Sequence, residues 1–252
     1  MWSIRPSTMP CRRCGRASRT RCSASVRWPT CWKRWTGMTN RPSDLEAPPR
    51  VARYTGAILL FVVLLAALML FGMLAEDVAE GEHIFFDEPV LHWLRGLSNG
   101  PLDLAMKAVT WLGSVWTVVP LLALALWWLR RERYASLYLL LANAGAALLN
   151  VAAKHGFARI RPTYWEPMVH ETSYSFPSGH AMETMALVAS LWLVRRHGVH
   201  RGFLVLGVVY VVLVGVSRMY LGVHYPSDVL AGWCAAFCWC QGLAMAMRQM
   251  HR

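Results

Sequence analysis

Six runs of apolar residues dominate this chain of 252 residues, and each approaches the length needed to cross a bilayer. They cover about Thr55–Ala75, Leu104–Leu129, Tyr134–Ala153, Gly179–Val194, Phe203–Val216 and Val229–Met247. A helix needs about 20 apolar residues to span the hydrocarbon core, and the two shortest runs can borrow turns from their flanks. The sequence therefore predicts an all-α, polytopic membrane protein, a bundle of six transmembrane helices. Pro120 is expected to bend the second run.

The positive charges predict an orientation for this bundle, because cytoplasmic connections are enriched in Arg and Lys. The positive charges on the predicted cytoplasmic side lie in four segments: before the first run, between the second and third, between the fourth and fifth, and after the sixth. They are Arg41, Arg50, Arg53, Arg130, Arg131, Arg133, Arg195, Arg196, Arg201, Arg248 and Arg252. The connection Glu76–Asp103, on the other side, holds seven acids and one arginine. Both termini are thus expected to be cytoplasmic. The outer connections Lys154–Ser178 and Arg218–Ser227 contain basic residues although this rule disfavours them there. Their presence indicates a functional role such as phosphate binding.

A short amphipathic helix is predicted between the first two runs. Six apolar residues fall near one helical face: Phe85, Phe86, Val90, Trp93, Leu94 and Leu97. Asp87, Glu88 and Arg95 fall elsewhere, as in an interfacial helix. The helix is expected either to pack on the bundle as a lid or to guide a lipid tail.

Residues 1–53 are predicted to be a disordered basic segment, followed by a membrane domain over residues 54–248. Residues 1–37 hold nine Arg or Lys and no acid, and they lack apolar periodicity. We expect translation to start at Met38; the alternative is a basic arm that contacts anionic lipid. Since these residues supply nine of the twelve net positive charges, the basic composition does not indicate nucleic-acid binding by the main body.

Three short motifs lie at the outer ends of the later runs. They are Lys154-x6-Arg161-Pro162, Pro177-Ser178-Gly179-His180 and Ser217-Arg218-x5-His224-x3-Asp228.

The residue types in these motifs suit phosphoryl chemistry. Arg and Lys clamp phosphoryl oxygens. Gly179 and His180 should open a helix, whose first N–H groups attract an anion. Two histidines allow one nucleophile and one general acid. His224 and Asp228 are four residues apart, so one helical turn would bring the carboxylate to the imidazole.

Together the motifs resemble those of the type-2 phosphatidic acid phosphatase family, whose fold is shared with the vanadium haloperoxidases. The resemblance covers roughly residues 54–248 and implies hydrolysis of a lipid phosphate or diphosphate. It implies that His224 attacks phosphorus to form a phosphohistidine, that Asp228 holds the ring, and that His180 is the general acid. It implies a phosphate clamp made by Lys154, Arg161, Ser178, Gly179 and Arg218.

The expected substrate is a lipid phosphate in the bilayer, such as undecaprenyl diphosphate, phosphatidic acid, phosphatidylglycerol phosphate or lipid A phosphate. No cofactor or metal is expected, since the motifs contain no carboxylate cluster for Mg²⁺. The expected location is a bacterial inner membrane with the site facing outwards, and the oligomeric state is open. Two alternatives are a haloperoxidase-like enzyme and a non-catalytic membrane protein on the same bundle.

Four residues outside the motif positions complete the prediction. Arg159 is expected to be a solvated or headgroup-facing charge, and His155 and His170 to be surface residues. Glu183, three residues after His180, either supports His180 or is a carboxylate favoured near a helix N-terminus.

Overall fold

The structure is a computed structural model that describes residues 50–195 and 201–249, with side chains described from Thr55 and Gly202 onwards in the two ranges. The predictions for residues 1–49, including a start at Met38, lie outside the described residues. Within the described ranges the chain is all-helical, as predicted. Its helices are α1 (Arg50–Glu80), α2 (Asp87–Gly96), α3 (Gly100–Leu112), α4 (Val115–Trp128), α5 (Arg133–Phe157), α6 (Gly179–Arg195), α7 (Arg201–Tyr220) and α8 (Pro226–Gln249).

Four of the described helices, α1, α5, α7 and α8, are long and apolar enough to cross a membrane. Helices α3 and α4 pass the same test only together; a bend of 43° joins them, as in a broken span or a re-entrant loop. The chain is therefore a multi-pass membrane protein. Helix α6, which corresponds to the fourth predicted run, has 17 residues and is shorter than these spans.

The second predicted span is interrupted at Gly113 and Ser114, a break that the sequence analysis did not predict. A Cβ atom at Gly113 would lie only 2.4 Å from Val214 Cγ1, which shows how closely α7 approaches the chain there. The Ser114 hydroxyl donates to the Trp111 carbonyl at 2.7 Å and satisfies one end of the interrupted helix. Pro120 lies inside the continuous helix α4.

Helix α6 lies at the centre of the bundle, where it packs against α5, α7 and α8. Small buried residues such as Ala186 on α6 and Ala236 on α8 allow these helices to approach closely. The Asn143 amide donates to Ser190 Oγ at 3.1 Å and joins α5 to α6. The Asn150 amide donates to the Pro177 carbonyl at 3.1 Å, and so fixes the loop that precedes α6.

The two ends of the bundle differ in their chemistry. At one end, Arg195 pairs with Glu132 at 3.5 Å, so the end of α6 meets the turn between α4 and α5. At the other end, Cε of Lys154 lies 4.0 Å from the position that a Cβ atom on Gly179 would take, so the end of α5 meets the start of α6. The three motifs therefore lie at one end, opposite the Glu132–Arg195 pair.

The predicted amphipathic helix exists as α2, but its orientation differs from the prediction. Leu91 and Leu94 are buried, together with Asp87, while Trp93 is 65% exposed. Leu94 packs against a cluster at the end of α7 formed by Tyr220, Leu221 and Val223. The expectation that Asp87 lies off the packed face was thus wrong, because α2 turns several of its apolar residues away from the protein.

Candidate active site

His224 lies in the loop between α7 and α8 and is 1% exposed. Gly222, with a φ of +75°, allows the tight turn after α7, a conformation that other residues rarely adopt. Helix α8 then begins at Pro226, a residue favoured in the first helical turn. His224 Nδ1 lies 3.4 Å from Asp228 Oδ2, so the two side chains meet as the spacing predicted.

The second ring nitrogen of His224 defines the tautomer. Nε2 lies 3.2 Å from Nη1 of Arg161. A guanidinium group can only donate, so Nε2 is the acceptor and the ring proton belongs on Nδ1, towards Asp228. Burial lowers the pKa of His224 to about 4; Arg218 and Arg161 act in the same direction, and Asp228 opposes them. The ring is therefore neutral near pH 7, with its lone pair on Nε2 directed towards Arg161.

Asp228 is fully buried and has a partner for each oxygen. Oδ2 faces His224 and accepts hydrogen bonds from the Ser175 hydroxyl and from the Tyr225 amide, the latter at 2.9 Å. Oδ1 accepts from Nη1 of Arg159 at 2.6 Å. The carboxylate is thus held on both sides.

The side chain of Arg159 is only 15% exposed. The prediction that Arg159 is a solvated or headgroup-facing charge was therefore wrong. Besides Asp228, it donates to Ser227 Oγ at 2.8 Å and to Asp87 Oδ2 at 2.8 Å. Its guanidinium also lies 4.1 Å above the Tyr225 ring. Burial would lower the pKa of Arg159, but the Asp228 and Asp87 carboxylates outweigh it and raise that pKa.

Lys154 and Arg161 of the first motif converge on the loop before α6. Lys154 Nζ donates to Ser173 Oγ at 3.1 Å and to the Tyr174 carbonyl. Arg161 reaches Ser173 Oγ with Nη2 at 3.2 Å and the Val223 carbonyl with Nη1 at 2.6 Å. The predicted pair of cations is therefore brought together beside His224.

Arg218 of the third motif is 2% exposed and already paired. It donates to Thr110 Oγ1 at 2.8 Å and to Glu171 Oε1 at 2.5 Å. The other Glu171 oxygen lies 3.9 Å from Arg161 Nη2. Glu171, which the sequence analysis missed, thus bridges two cations of the predicted phosphate clamp. Burial raises the pKa of Glu171, but Arg218 and Arg161 overcome this effect and hold it below its ordinary value.

The second motif forms the start of α6. The Ser178 amide donates to the Asp228 carbonyl at 3.0 Å, which ties α6 to α8. Ser178 Oγ is buried, and no described residue bonds to it. A Cβ atom on Gly179 would lie 3.2 Å from Asn150 Oδ1. His180, half-buried in the first turn, is within electrostatic range of Glu171, Arg218 and His224.

Among the described residues, the remaining candidates form no hydrogen bond with the motif residues, although Glu183 lies within electrostatic range of Lys154. Glu183 is half-buried on α6, and among the described side chains it forms no hydrogen bond or ion pair, including none with His180. His155 and His170 are exposed, as predicted. The part of the chain that the structure describes contains no group of three His, Cys, Asp or Glu side chains arranged to share a metal ion.

Comparisons with known proteins agree on one family. The model of the PAP2 superfamily matches residues 135–252. Phosphatidylglycerophosphatase B of Bacillus subtilis is 37% identical over 141 residues, which cover 52% of this chain and 68% of that protein. Undecaprenyl-diphosphatase of Sulfolobus acidocaldarius is 30% identical over 184 residues, which cover 68% of this chain and 83% of that protein.

A solved structure supports the same assignment. The crystal structure of a transmembrane PAP2-type phosphatidylglycerolphosphate phosphatase from Bacillus subtilis superposes with a TM-score of 0.65 at 27% identity. The match covers 75% of this chain and 97% of that one. The bundle and the motif-bearing end are therefore parts of a shared fold.

Proposed function

Because this chain belongs to the PAP2 superfamily, we propose that it is an integral-membrane lipid phosphatase that hydrolyses a lipid phosphate or diphosphate. The observation that carries this proposal is the environment of His224. Its Nδ1 faces the Asp228 carboxylate, and its Nε2 lone pair faces the cations that include Arg161. A nucleophile towards phosphorus needs both a directed lone pair and a group that stabilises the charge it develops.

The first chemical step is phosphoryl transfer to His224. Nε2 attacks phosphorus, the N–P bond forms, and the bond to the lipid oxygen breaks. His180, in the first turn of α6, donates a proton to that leaving oxygen. The ring of His224 becomes positively charged, and Asp228 stabilises it through Nδ1–H.

The second step returns the enzyme to its starting state. A water molecule attacks the phosphohistidine, and His180, now neutral, takes its proton. The N–P bond breaks, inorganic phosphate leaves, and His224 regains its Nε2 lone pair.

A set of donors stabilises the charge on the phosphoryl oxygens in both steps. Lys154, Arg161 and Arg218 supply cations, and Ser178 and the Gly179 amide supply neutral donors. The unpaired, buried Ser178 hydroxyl supports this role, because a buried hydroxyl without a partner is costly. Preorganised donors of this kind act strongly in a site that excludes water.

We propose that this site faces the outer surface of the membrane. We propose that α6 also crosses the membrane, which gives six spans when α3 and α4 count as one. The arginines near Glu132 and Arg195 then lie on the cytoplasmic side with both termini. A cytoplasm-only reporter should be active after Arg252 and inactive within residues 163–169, and the opposite pattern would invert the topology.

The test of function is phosphate release by the detergent-purified chain from four lipids: phosphatidylglycerol phosphate, undecaprenyl diphosphate, phosphatidic acid and lipid A phosphate. The relatives named for the first two make these the leading substrates. His155→Ala, at an exposed histidine of the same end, is the matched control for His224→Ala. Absence of release from all four lipids would reject the proposal.

Catalysis is proposed to be metal-independent, because cations of the protein itself face the phosphoryl group. Vanadate, which mimics five-coordinate phosphorus, should inhibit, and EDTA should leave the rate unchanged. A strict requirement for a divalent metal would contradict this assignment of the clamp.

A further inference from the structure

Asp87 and Arg159 belong to none of the three motifs, yet both are built into the support of Asp228. Arg159 joins the two carboxylates: Nη1 lies 2.6 Å from Asp228 Oδ1 and Nη2 lies 2.8 Å from Asp87 Oδ2. Asp87 is 2% exposed although it is the first residue of the surface helix α2. A buried carboxylate is costly unless it is paired and hydrogen-bonded, so this placement has a function or a large structural benefit.

We propose that Asp87 and Arg159 are positioning residues for the reaction of His224. They aim the Asp228 carboxylate at the ring and preserve its negative charge for the cation that forms there. This inference rests on the proposed lipid phosphatase function, because it assigns roles within that reaction.

The orientation of the Asp228 carboxylate follows from the different partners of its two oxygens. Arg159 binds Oδ1, while Oδ2 faces His224 Nδ1 at 3.4 Å. A carboxylate bound at one oxygen by a planar guanidinium cannot rotate freely, so its second oxygen keeps its direction. Lysine at position 159 would retain the charge but could not hold two carboxylates with a fixed fork.

Asp87 fixes the helix that carries Asp228 as well. Its Oδ1 accepts from the Ser227 amide at 2.9 Å, and its Oδ2 accepts from the Ser227 hydroxyl at 2.6 Å. Ser227 lies in the first turn of α8, whose amides lack partners within the helix. A carboxylate at this end also interacts favourably with the helix dipole.

The charges explain why two carboxylates are needed. Arg159 alone would neutralise Asp228, and little negative charge would remain for His224. With Asp87 included, two carboxylates and one guanidinium carry one net negative charge while the ring is neutral. When Nε2 is phosphorylated and the ring becomes positive, the buried group as a whole becomes neutral, which lowers the cost of the charged intermediate.

The first experiment measures kcat and KM of Asp87→Asn on the lipid that the wild type hydrolyses fastest. Asparagine keeps the shape and one acceptor for the Ser227 amide but removes the charge. We expect kcat to fall about 100-fold, the cost of a misplaced reacting group, with KM changed less than about twofold. Rates are expressed per vanadate-binding site, so that misfolded protein does not count.

Glu88→Gln is the matched control, because it makes the same charge change at the next residue of α2. Glu88 is 44% exposed, and its ion-pair partners among the described residues are two exposed histidines, so the rate should stay at the wild-type value. Wild-type kcat in Asp87→Asn, or an equal loss in Glu88→Gln, would overturn the inference.

A double variant tests the charge argument and guards against folding failure. Asp87→Asn combined with Arg159→Gln removes one charge of each sign, so the net charge of the buried group is unchanged and no guanidinium is left without its Asp87 partner. Its kcat should lie well above the product of the two single losses, because both residues act through Asp228. Multiplicative losses would overturn the inference. An inactive wild type would instead reject the proposed function.

Discussion

Two arginine–carboxylate clusters flank the His224 ring, one at each nitrogen. The Nδ1-side cluster consists of Asp87, Arg159, Ser227 and Asp228, and the Nε2-side cluster consists of Arg161, Glu171 and Arg218. In the first, both carboxylates are almost fully buried and the ion pairs measure 2.6 and 2.8 Å. In the second, the carboxylate comes from a loop, its side chain is 29% exposed, and its two pairs measure 2.5 and 3.9 Å.

From this difference in burial and distance we expect the first cluster to be permanent and the second to be exchangeable. The Nδ1-side cluster is tied to α2, α8 and the end of α5, so it cannot open without unpacking the bundle. Glu171 instead presents two oxygens to cations that are proposed to bind phosphate, and its side chain is partly exposed. We therefore expect Glu171 to compete with the substrate phosphate for these cations.

The largest effect should follow from removing the ring between the clusters. His224→Ala should abolish turnover, because it removes the ring nitrogen that is proposed to attack phosphorus. His180→Ala should reduce kcat by about 10² to 10⁴-fold, the usual contribution of a general acid, and leave vanadate binding measurable. Single-turnover phosphate release provides the measurement. Near-wild-type turnover in His224→Ala would remove the basis of the whole comparison.

The second prediction separates the clusters by kinetic parameter. Arg218→Gln removes a charged donor from the Nε2 side, so KM should rise and vanadate affinity should fall about 10- to 100-fold. Asp87→Asn on the Nδ1 side should change kcat with little effect on KM. The measurement is a full titration of substrate and vanadate for both variants. A kcat-only effect in Arg218→Gln would mean that this arginine contacts only the transition state.

The third prediction concerns the exchangeable anion. Glu171→Gln removes the competing charge, so inorganic vanadate should bind about fivefold more tightly, an effect near 1 kcal/mol as for other partly exposed ion pairs. Glu166→Gln, at an exposed residue of the same loop, is the matched control and should leave the affinity unchanged. Weaker binding in Glu171→Gln would show that Glu171 instead orients the arginines for the substrate.

The pH dependence of this competition has a defined sign. The pKa of Glu171 lies below its ordinary value, so its carboxylate stays ionised near neutral pH and loses its charge only as the pH falls through that lowered pKa. The ratio of wild-type to Glu171→Gln vanadate affinity should therefore be constant from pH 8 to pH 6. A ratio that approaches one within this range would contradict ionic competition.

Sequence reasoning found the residues that a pattern marks and missed those that only the fold brings together. His224 and Asp228 are four apart, and the start of α6 follows from Gly179, so both were predictable. Asp87 is 140 residues from Ser227, its hydrogen-bond partner, and no local pattern connects them. In a membrane protein apolar side chains also face lipid, so the apolar face of α2 could not identify its packed side.

The smallest effect is expected for Glu183, a fourth carboxylate near the site, which pairs with no arginine among the described residues. It lies one turn after His180, but no described contact joins the two side chains. If an arginine partner marks the carboxylates that matter to the reaction, Glu183→Gln should keep kcat within about twofold and leave both limbs of the pH–rate profile in place. Any change should appear in thermal stability, since Glu183 is a half-buried carboxylate near a helix N-terminus. A displaced limb of the pH–rate profile would show that Glu183 acts on His180 without a direct hydrogen bond. An arginine partner would then no longer predict which carboxylates take part in the reaction.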